Sequence, residues 1–194
     1  VNSIANHTGC KKNEIYVCST GVIGEFLNSN IITAAIPKLI KQKESSWKEV
    51  AESICTTDTF VKGAKSICKV EEKKFSVVGI AKGSGMIFPN MGTMLGFVFT
   101  DLPLPVKILN ILLKEAVEKS FNSITVDGDT STSDTCLLFS TPSISLTKSI
   151  KLIGDKRLSS FRIALDKVLQ SLAQQIVCDG EGASKFITIN IHSV

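Results

Sequence analysis

The chain has 194 residues, 43% of them hydrophobic and 21% charged, with 22 Lys plus Arg against 18 Asp plus Glu for a formal net charge of +4. That length accommodates one sizeable core or two lobes sharing one, and the composition is that of an ordinary globular protein. The lysines are scattered apart from pairs such as Lys11-Lys12 and Lys73-Lys74, which argues against a nucleic-acid-binding surface, and no stretch is apolar and long enough to span a bilayer.

No charged-then-apolar leader opens the chain, so no retained secretory signal is expected. Val1 is not an initiator Met, so the sequence is expected either to have lost something upstream or to be a fragment of a longer protein. The six cysteines include no C-x-x-C pair, which argues against a zinc site. Several lie in apolar runs, as in Ile15 to Cys18 and Cys136 to Phe139. They are expected to be buried free thiols in a reducing cytosol, which gives a cytoplasmic location. His7 and His192 lie near opposite ends, leaving little material for a His-based triad or metal cluster.

In chain order, Glu14 to Cys18 predicts a short strand entering a turn at Ser19-Thr20-Gly21. The Lys- and Ser-rich stretch from Lys41 to Ser46 predicts a surface connection. Ser46-Trp47-Lys48-Glu49 has the form of a capping box, and Trp47, Val50, Ala51 and Ile54 follow at helical spacing. Phe75 to Ala81 predicts a strand that ends in the turn Lys82-Gly83-Ser84-Gly85, and Met94 to Phe99 a second one. A helix is expected over Val106 to Val117, with Pro103 and Pro105 marking its start. Ser123 to Val126 and Cys136 to Phe139 predict short strands around a polar loop. Phe161, Leu165, Val168, Leu169, Leu172 and Ile176 form the clearest helical stripe, terminated by Asp179-Gly180. Phe186 to His192 alternates and predicts a closing strand. Strands and helices mix without a regular β-α repeat, so the expected class is α+β (mixed α/β), with layered sheets flanked by helices.

Polar, glycine-marked segments interrupt this pattern at Ser19-Thr20-Gly21, Thr56 to Thr59, Lys82 to Thr93, Thr125 to Thr135 and Asp179 to Gly182. Such loops between apolar elements are where sites usually sit, although any one alone is more simply a turn. Thr125 to Asp129 suggests an aspartate nucleophile or a calcium loop, but the terminal Glu of a calcium loop does not arrive. A hydrogen-bonded turn of Asp and Thr side chains is the better expectation. In Lys82 to Thr93 the lysine precedes the glycines, so the loop is not a phosphate cradle. What remains is a loop delivering a threonine to the start of a buried strand.

The run from Ala81 to Leu95 resembles the self-cleavage segment of the ornithine acetyltransferase family. So do Ser19-Thr20-Gly21-Val22-Ile23-Gly24, Thr56-Thr57-Asp58-Thr59, Phe121 to Thr132, and Asp179-Gly180-Glu181-Gly182-Ala183-Ser184-Lys185, in the family's order. The resemblance implies an N-terminal-nucleophile-like fold and cleavage between Gly92 and Thr93. Residues 1–92 would then close the family's alpha chain and residues 93–194 would open its beta chain. The freed α-amine, which titrates near neutral pH, becomes the base for the Thr93 hydroxyl. By similarity, Thr93 takes the acetyl group of N-acetylornithine and passes it to glutamate, a step of arginine biosynthesis.

The family's oxyanion hole falls on Thr20 and Gly21, where a missing Cβ lets a backbone N–H approach. Its substrate contacts fall on Thr59, Lys82, Thr93 and Glu181. Lys82 suits a carboxylate and Glu181 an amino group, although apart from the resemblance they read equally well as a solvated lysine and a turn carboxylate. The resemblance implies no metal and no required cofactor, and leaves open acetyl-coenzyme A as a co-substrate. It also implies that the cleaved chains associate as a heterotetramer of two of each, with no nucleic-acid or membrane partner.

The chain departs from the family in having Gly92 for a usual Ala, Ser133 for Asn and Ser184 for Thr. Family members also continue well past Val194 with further pocket residues. An N-terminal-nucleophile amidase or aminopeptidase, and a non-catalytic fragment, are the alternative functions.

Overall fold

The computed structural model describes residues 1–42, 44–87 and 93–192. Its centre is built from runs rich in β-branched and aromatic residues. β1 (Lys62–Val70), β2 (Lys73–Lys82) and β3 (Leu95–Thr100) pair antiparallel in succession, and β4 (Thr135–Ser140) pairs parallel with β3. The result is one four-stranded sheet in the order β1-β2-β3-β4. Glu71 and Glu72 join β1 to β2 with φ of 49° and 62°, the left-handed geometry a two-residue hairpin requires. A parallel neighbour needs a crossover. Here α4 (Val106–Glu118), entered through Pro105, lies within the connection from β3 to β4.

α5 (Leu158–Cys178) lies across β1 and β2. Its expected stripe of Phe161, Leu165, Val168, Leu169, Leu172 and Ile176 is entirely buried, against Phe75, Val77 and Ala81 of β2 and Val98 of β3. The opposite sheet face is covered in part by α3 (Trp47–Ile54), where Ala51 is buried and the Trp47 ring stands 5.2 Å from that of Phe99. Tyr16 adds an edge-on contact with Phe139. The capping box at the start of α3 is formed, with Glu49 N–H donating to Ser46 Oγ and Ser46 N–H to Glu49 Oε2.

The mixed α/β class and its principal elements match expectation, but three expected strands are absent. Glu14 closes a 3-10 turn by accepting the Lys11 N–H at 2.8 Å, and Ile15 to Cys18 pairs with nothing among the described residues. Ser123 ends another 3-10 turn. Val126 N–H and the Thr125 hydroxyl then converge on Ile87 O at 2.8 and 3.1 Å, so this stretch clamps a loop rather than joining a sheet. Phe186 to His192 has no partner strand among the described residues, and Ile187, Ile189 and Ile191 are exposed.

The cysteines also depart from expectation: Cys68 is buried, but Cys10 and Cys178 are exposed and Cys18, Cys55 and Cys136 are half-buried. Two helices arise without having been expected, α1 (Asn2–Thr8) and α2 (Ser29–Lys41), the latter capped by the Asn28 side chain. Between them only Ile36 is buried. No helix among the described residues is long and apolar enough to cross a membrane.

Candidate active site around Thr93

The β2–β3 register sets the site's frame. Lys82 pairs with Leu95, so the residues leaving β2 run beside those entering β3. Gly83 has φ of +146°, and a Cβ there would stand 3.0 Å from Thr93 O and 3.4 Å from Met94 Cβ. Glycine is what allows that close approach of the two backbones. Thr93 N–H donates to Met86 O at 2.8 Å, and Met94 N–H donates to Asp134 Oδ1 at 2.8 Å. Between these anchors Thr93 is half-buried, and its Oγ1 is buried without a hydrogen-bond partner among the described residues.

Met86 itself is left-handed, with φ of 58°, a conformation that persists in a non-glycine residue only where its surroundings enforce it. Asp127 supplies the enforcement, accepting Met86 N–H at 2.5 Å and Ile87 N–H at 2.9 Å. Burial pushes the Asp127 carboxyl up, but these amides outweigh it and hold the group below the ordinary carboxylate value. Asp129 N–H also donates to Asp127, as the Asx-turn expectation for this segment required.

Lys82 is 2% exposed, and its Nζ donates to Thr56 Oγ1 at 2.8 Å. Burial pulls its ammonium below the ordinary lysine value, with Asp58 opposing. Beneath it lies a buried ionic cluster. Lys62 Nζ donates to Asp58 at 2.6 Å and also to Asp179, with all three side chains at most 1% exposed. Asp58 further accepts Gly83 N–H at 2.7 Å and Thr56 N–H at 3.2 Å. Burial raises both carboxyls, but for Asp58 the Gly83 N–H and Lys62, and for Asp179 Lys62 and Thr59, bring them below their ordinary value.

The Thr57 and Ser84 hydroxyls share a hydrogen bond at 2.7 Å, and Glu181 N–H donates to Ser84 O at 2.9 Å. An open cavity of about 370 Å³ at this junction is lined by Thr57, Thr59, Ser84, Asp179 and Glu181, among others.

Hydrogen bonds therefore link the three segments that carry Thr59, Lys82 with Thr93, and Glu181. Thr59 commits both its N–H and its hydroxyl to Asp179, so here it holds a turn. Thr20 is half-buried and Gly21 exposed, and no hydrogen bond among the described residues joins either to Thr93. Gly92 lies outside the described residues. Asp58, Asp134 and Asp179 each lie in a segment marked by its polarity without an expected role of their own, whereas Asp127 takes the turn role expected of its segment. Lys62 gave no signal, since a lysine in a strand ordinarily points to solvent.

The sequence profile of the ArgJ family matches residues 1–194. The chain belongs to the ArgJ family. It is 44% identical over 191 residues to the arginine biosynthesis bifunctional protein ArgJ of Caulobacter vibrioides, covering 98% of this chain and 47% of that one. To the protein of the same description from Bartonella henselae it is 46% identical over 188 residues, covering 96% and 46%. The chain thus spans about half the length of the curated relatives it matches. Among solved structures it is similar to the l-aminopeptidase d-Ala-esterase/amidase of Ochrobactrum anthropi, with TM-score 0.45 and 12% identity over 62% of this chain and 40% of that one. The ArgJ match includes all of these segments and also the Ser19 to Gly24 turn.

Proposed function

We propose that the protein is an acetyltransferase of arginine biosynthesis that moves an acetyl group from N-acetylornithine to glutamate through an ester on Thr93, after the chain is cut in front of that residue. The observation that carries this is the state of Thr93: a buried hydroxyl without a partner among the described residues, beside an N–H held on Met86 O at 2.8 Å. Breaking the Gly92–Thr93 bond converts that N–H into an α-amine. With an ordinary pKa of about 7.7–8.0, the amine accepts the hydroxyl proton near neutral pH. Met86 O keeps it oriented. The threonine then attacks the acetyl carbonyl, releases ornithine, and transfers the acetyl group to glutamate.

Lys82, ending β2 close to Thr93, is suited to the α-carboxylate common to both substrates. Glu181 is suited to an amino group, and the Thr20–Gly21 turn is assigned to the developing oxyanion by family resemblance. Acetyl-coenzyme A is a second donor compatible with the same acyl-enzyme. A cut before Thr93 falls between β2 and β3, which remain hydrogen-bonded neighbours. The two pieces therefore share one sheet and stay together, and a heterotetramer of two of each is the proposed assembly. The proposed location is the cytoplasm.

The test is to incubate the full-length protein with N-acetylornithine and glutamate, follow ornithine release, and record intact masses. Two fragments divided at Thr93 are expected. Thr93→Ala should leave one chain and lower transfer by at least about a thousandfold. Transfer at the wild-type rate by the uncut Thr93→Ala protein would refute the proposal.

A further inference from the structure

The loop from Thr56 to Thr59 carries three threonine hydroxyls, and the structure uses them differently. The Thr57 hydroxyl shares a hydrogen bond with that of Ser84 at 2.7 Å. The Thr59 hydroxyl donates to Asp179, which also accepts the Thr59 N–H. Both are occupied in holding the loop, one against the residues leaving β2 and the other against the end of α5. Thr56 differs. Its Oγ1 accepts from Lys82 Nζ at 2.8 Å, and its own hydroxyl proton has no acceptor among the described residues.

Lys82 is the counterpart of this spare donor. It is 2% exposed and forms no ion pair among the described residues, although buried charges are ordinarily paired. An ammonium has three protons to donate, and Thr56 takes one of them. Asp58 supplies no ion pair to it, being committed to Lys62 Nζ at 2.6 Å, Gly83 N–H at 2.7 Å and Thr56 N–H at 3.2 Å. Those last two bonds have a consequence for geometry: one carboxylate holds both the backbone of Thr56 and the backbone next to Lys82, so the hydroxyl and the ammonium are fixed in one frame. Thr56 is exposed, so their contact runs from a surface residue to a buried cation. The two donors, one cationic and one neutral, stand at a spacing suited to the two oxygens of a single carboxylate.

We propose that Thr56 binds the substrate carboxylate together with Lys82, its hydroxyl donating to one oxygen while the ammonium donates to the other. This rests on the acetyltransferase reading and on the place of Lys82 in it. The contact that family resemblance lays on Thr59 then passes to Thr56, because the Thr59 hydroxyl is already spent on Asp179. N-acetylornithine and glutamate both carry the carboxylate, so Thr56 serves both halves of the reaction.

The experiment measures steady-state acetyl transfer by the full-length protein for wild type, Thr56→Val, Thr56→Ala and Thr56→Ser. Two donors are compared, N-acetylornithine and N-acetylputrescine, the same molecule without its carboxylate. Val keeps the shape of Thr56 and removes the hydroxyl, Ala removes it without setting a methyl group against the ammonium, and Ser restores it. Both Val and Ala should lower kcat/KM for N-acetylornithine and for glutamate by about tenfold or more, chiefly through KM, and Ser should recover most of the loss. With N-acetylputrescine, Val and Ala should stay within about threefold of wild type, since the group that Thr56 recognises is missing. A loop-holding role predicts instead an equal loss with both donors, and that result overturns the inference. So do Val and Ala variants within about threefold of wild type on N-acetylornithine. In both cases an active wild type leaves the acetyltransferase reading standing. A wild type that releases no ornithine overturns that reading and this inference with it.

Discussion

Lys62 shows how a single buried charge organises the neighbourhood of Thr93. It is fully buried between Asp58 and Asp179, and through them it ties the end of α5 to the Thr56–Thr59 loop and to the Gly83 backbone. Removing one member of a buried ionic group leaves the others uncompensated, at a cost of about 3–5 kcal/mol. Lys62→Met is therefore expected to lower stability by about that much, read from chemical denaturation. The pH dependence should also change sign. In the wild type both carboxyls lie below their ordinary value of 3.8, so their contribution is present above that pH and is lost as pH falls through their lowered folded values. In Lys62→Met the two carboxylates repel each other without a cation between them, and their folded values rise above the unfolded ones. Acidification from pH 7 to 5 should then raise the melting temperature of the variant while leaving that of the wild type nearly level. Parallel responses in the two proteins would show that Lys62 is not the compensating charge.

At the scale of elements, the sheet and α5 meet through a contact that only glycine allows. A Cβ on Gly79 would fall 2.8 Å from Leu172 Cδ1 and 2.9 Å from Val168 Cγ1, both on side chains that are essentially inaccessible. Gly79→Ala is expected to destabilise the protein by about 1–3 kcal/mol through overpacking. If the clash is the cause, Gly79→Ala combined with Leu172→Ala should cost less than the two single changes summed, as denaturation midpoints would show. The same contact marks what was legible in the sequence. The stripe from Phe161 to Ile176 and the Ser46–Glu49 cap are local patterns, and both are present as expected. β1 was not foreseen, because Lys62, Lys65 and Lys69 mask its alternation and its pairing comes from β2. Conversely, the alternation of Phe186 to His192 suggested a strand where no partner lies beside it among the described residues. The site followed the same rule. Its polar segments stood out along the chain, but the ion pairing of Lys62 and the orphaned oxygens of Asp134 and Thr93 are products of long-range packing.

Across the whole chain, order divides into two tiers. The sheet, α4 and α5 enclose nearly all of the buried apolar side chains, from Cys68 to Ile176. Outside this core, Val22, Ile23, Phe26 and Leu27 are exposed in the stretch before α2, and Ile187, Ile189 and Ile191 are exposed after α5. Apolar residues left in water contribute little to holding a segment in place, and a segment without backbone partners opens at almost no cost, whereas a core strand opens only with the domain. Hydrogen exchange on the 194-residue chain should therefore separate the tiers. Amides of β2, β3 and α5 should exchange at least about a hundredfold more slowly than those of residues 15–28 and 183–192. A chain extended to the length of its ArgJ relatives provides the discriminating comparison. If the exposed isoleucines of 183–192 form a face that the longer protein covers, their amides should gain protection there while those of β2 and α5 change little. Equal exchange of residues 183–192 in both proteins would mean that this alternation is not used for strand pairing in either.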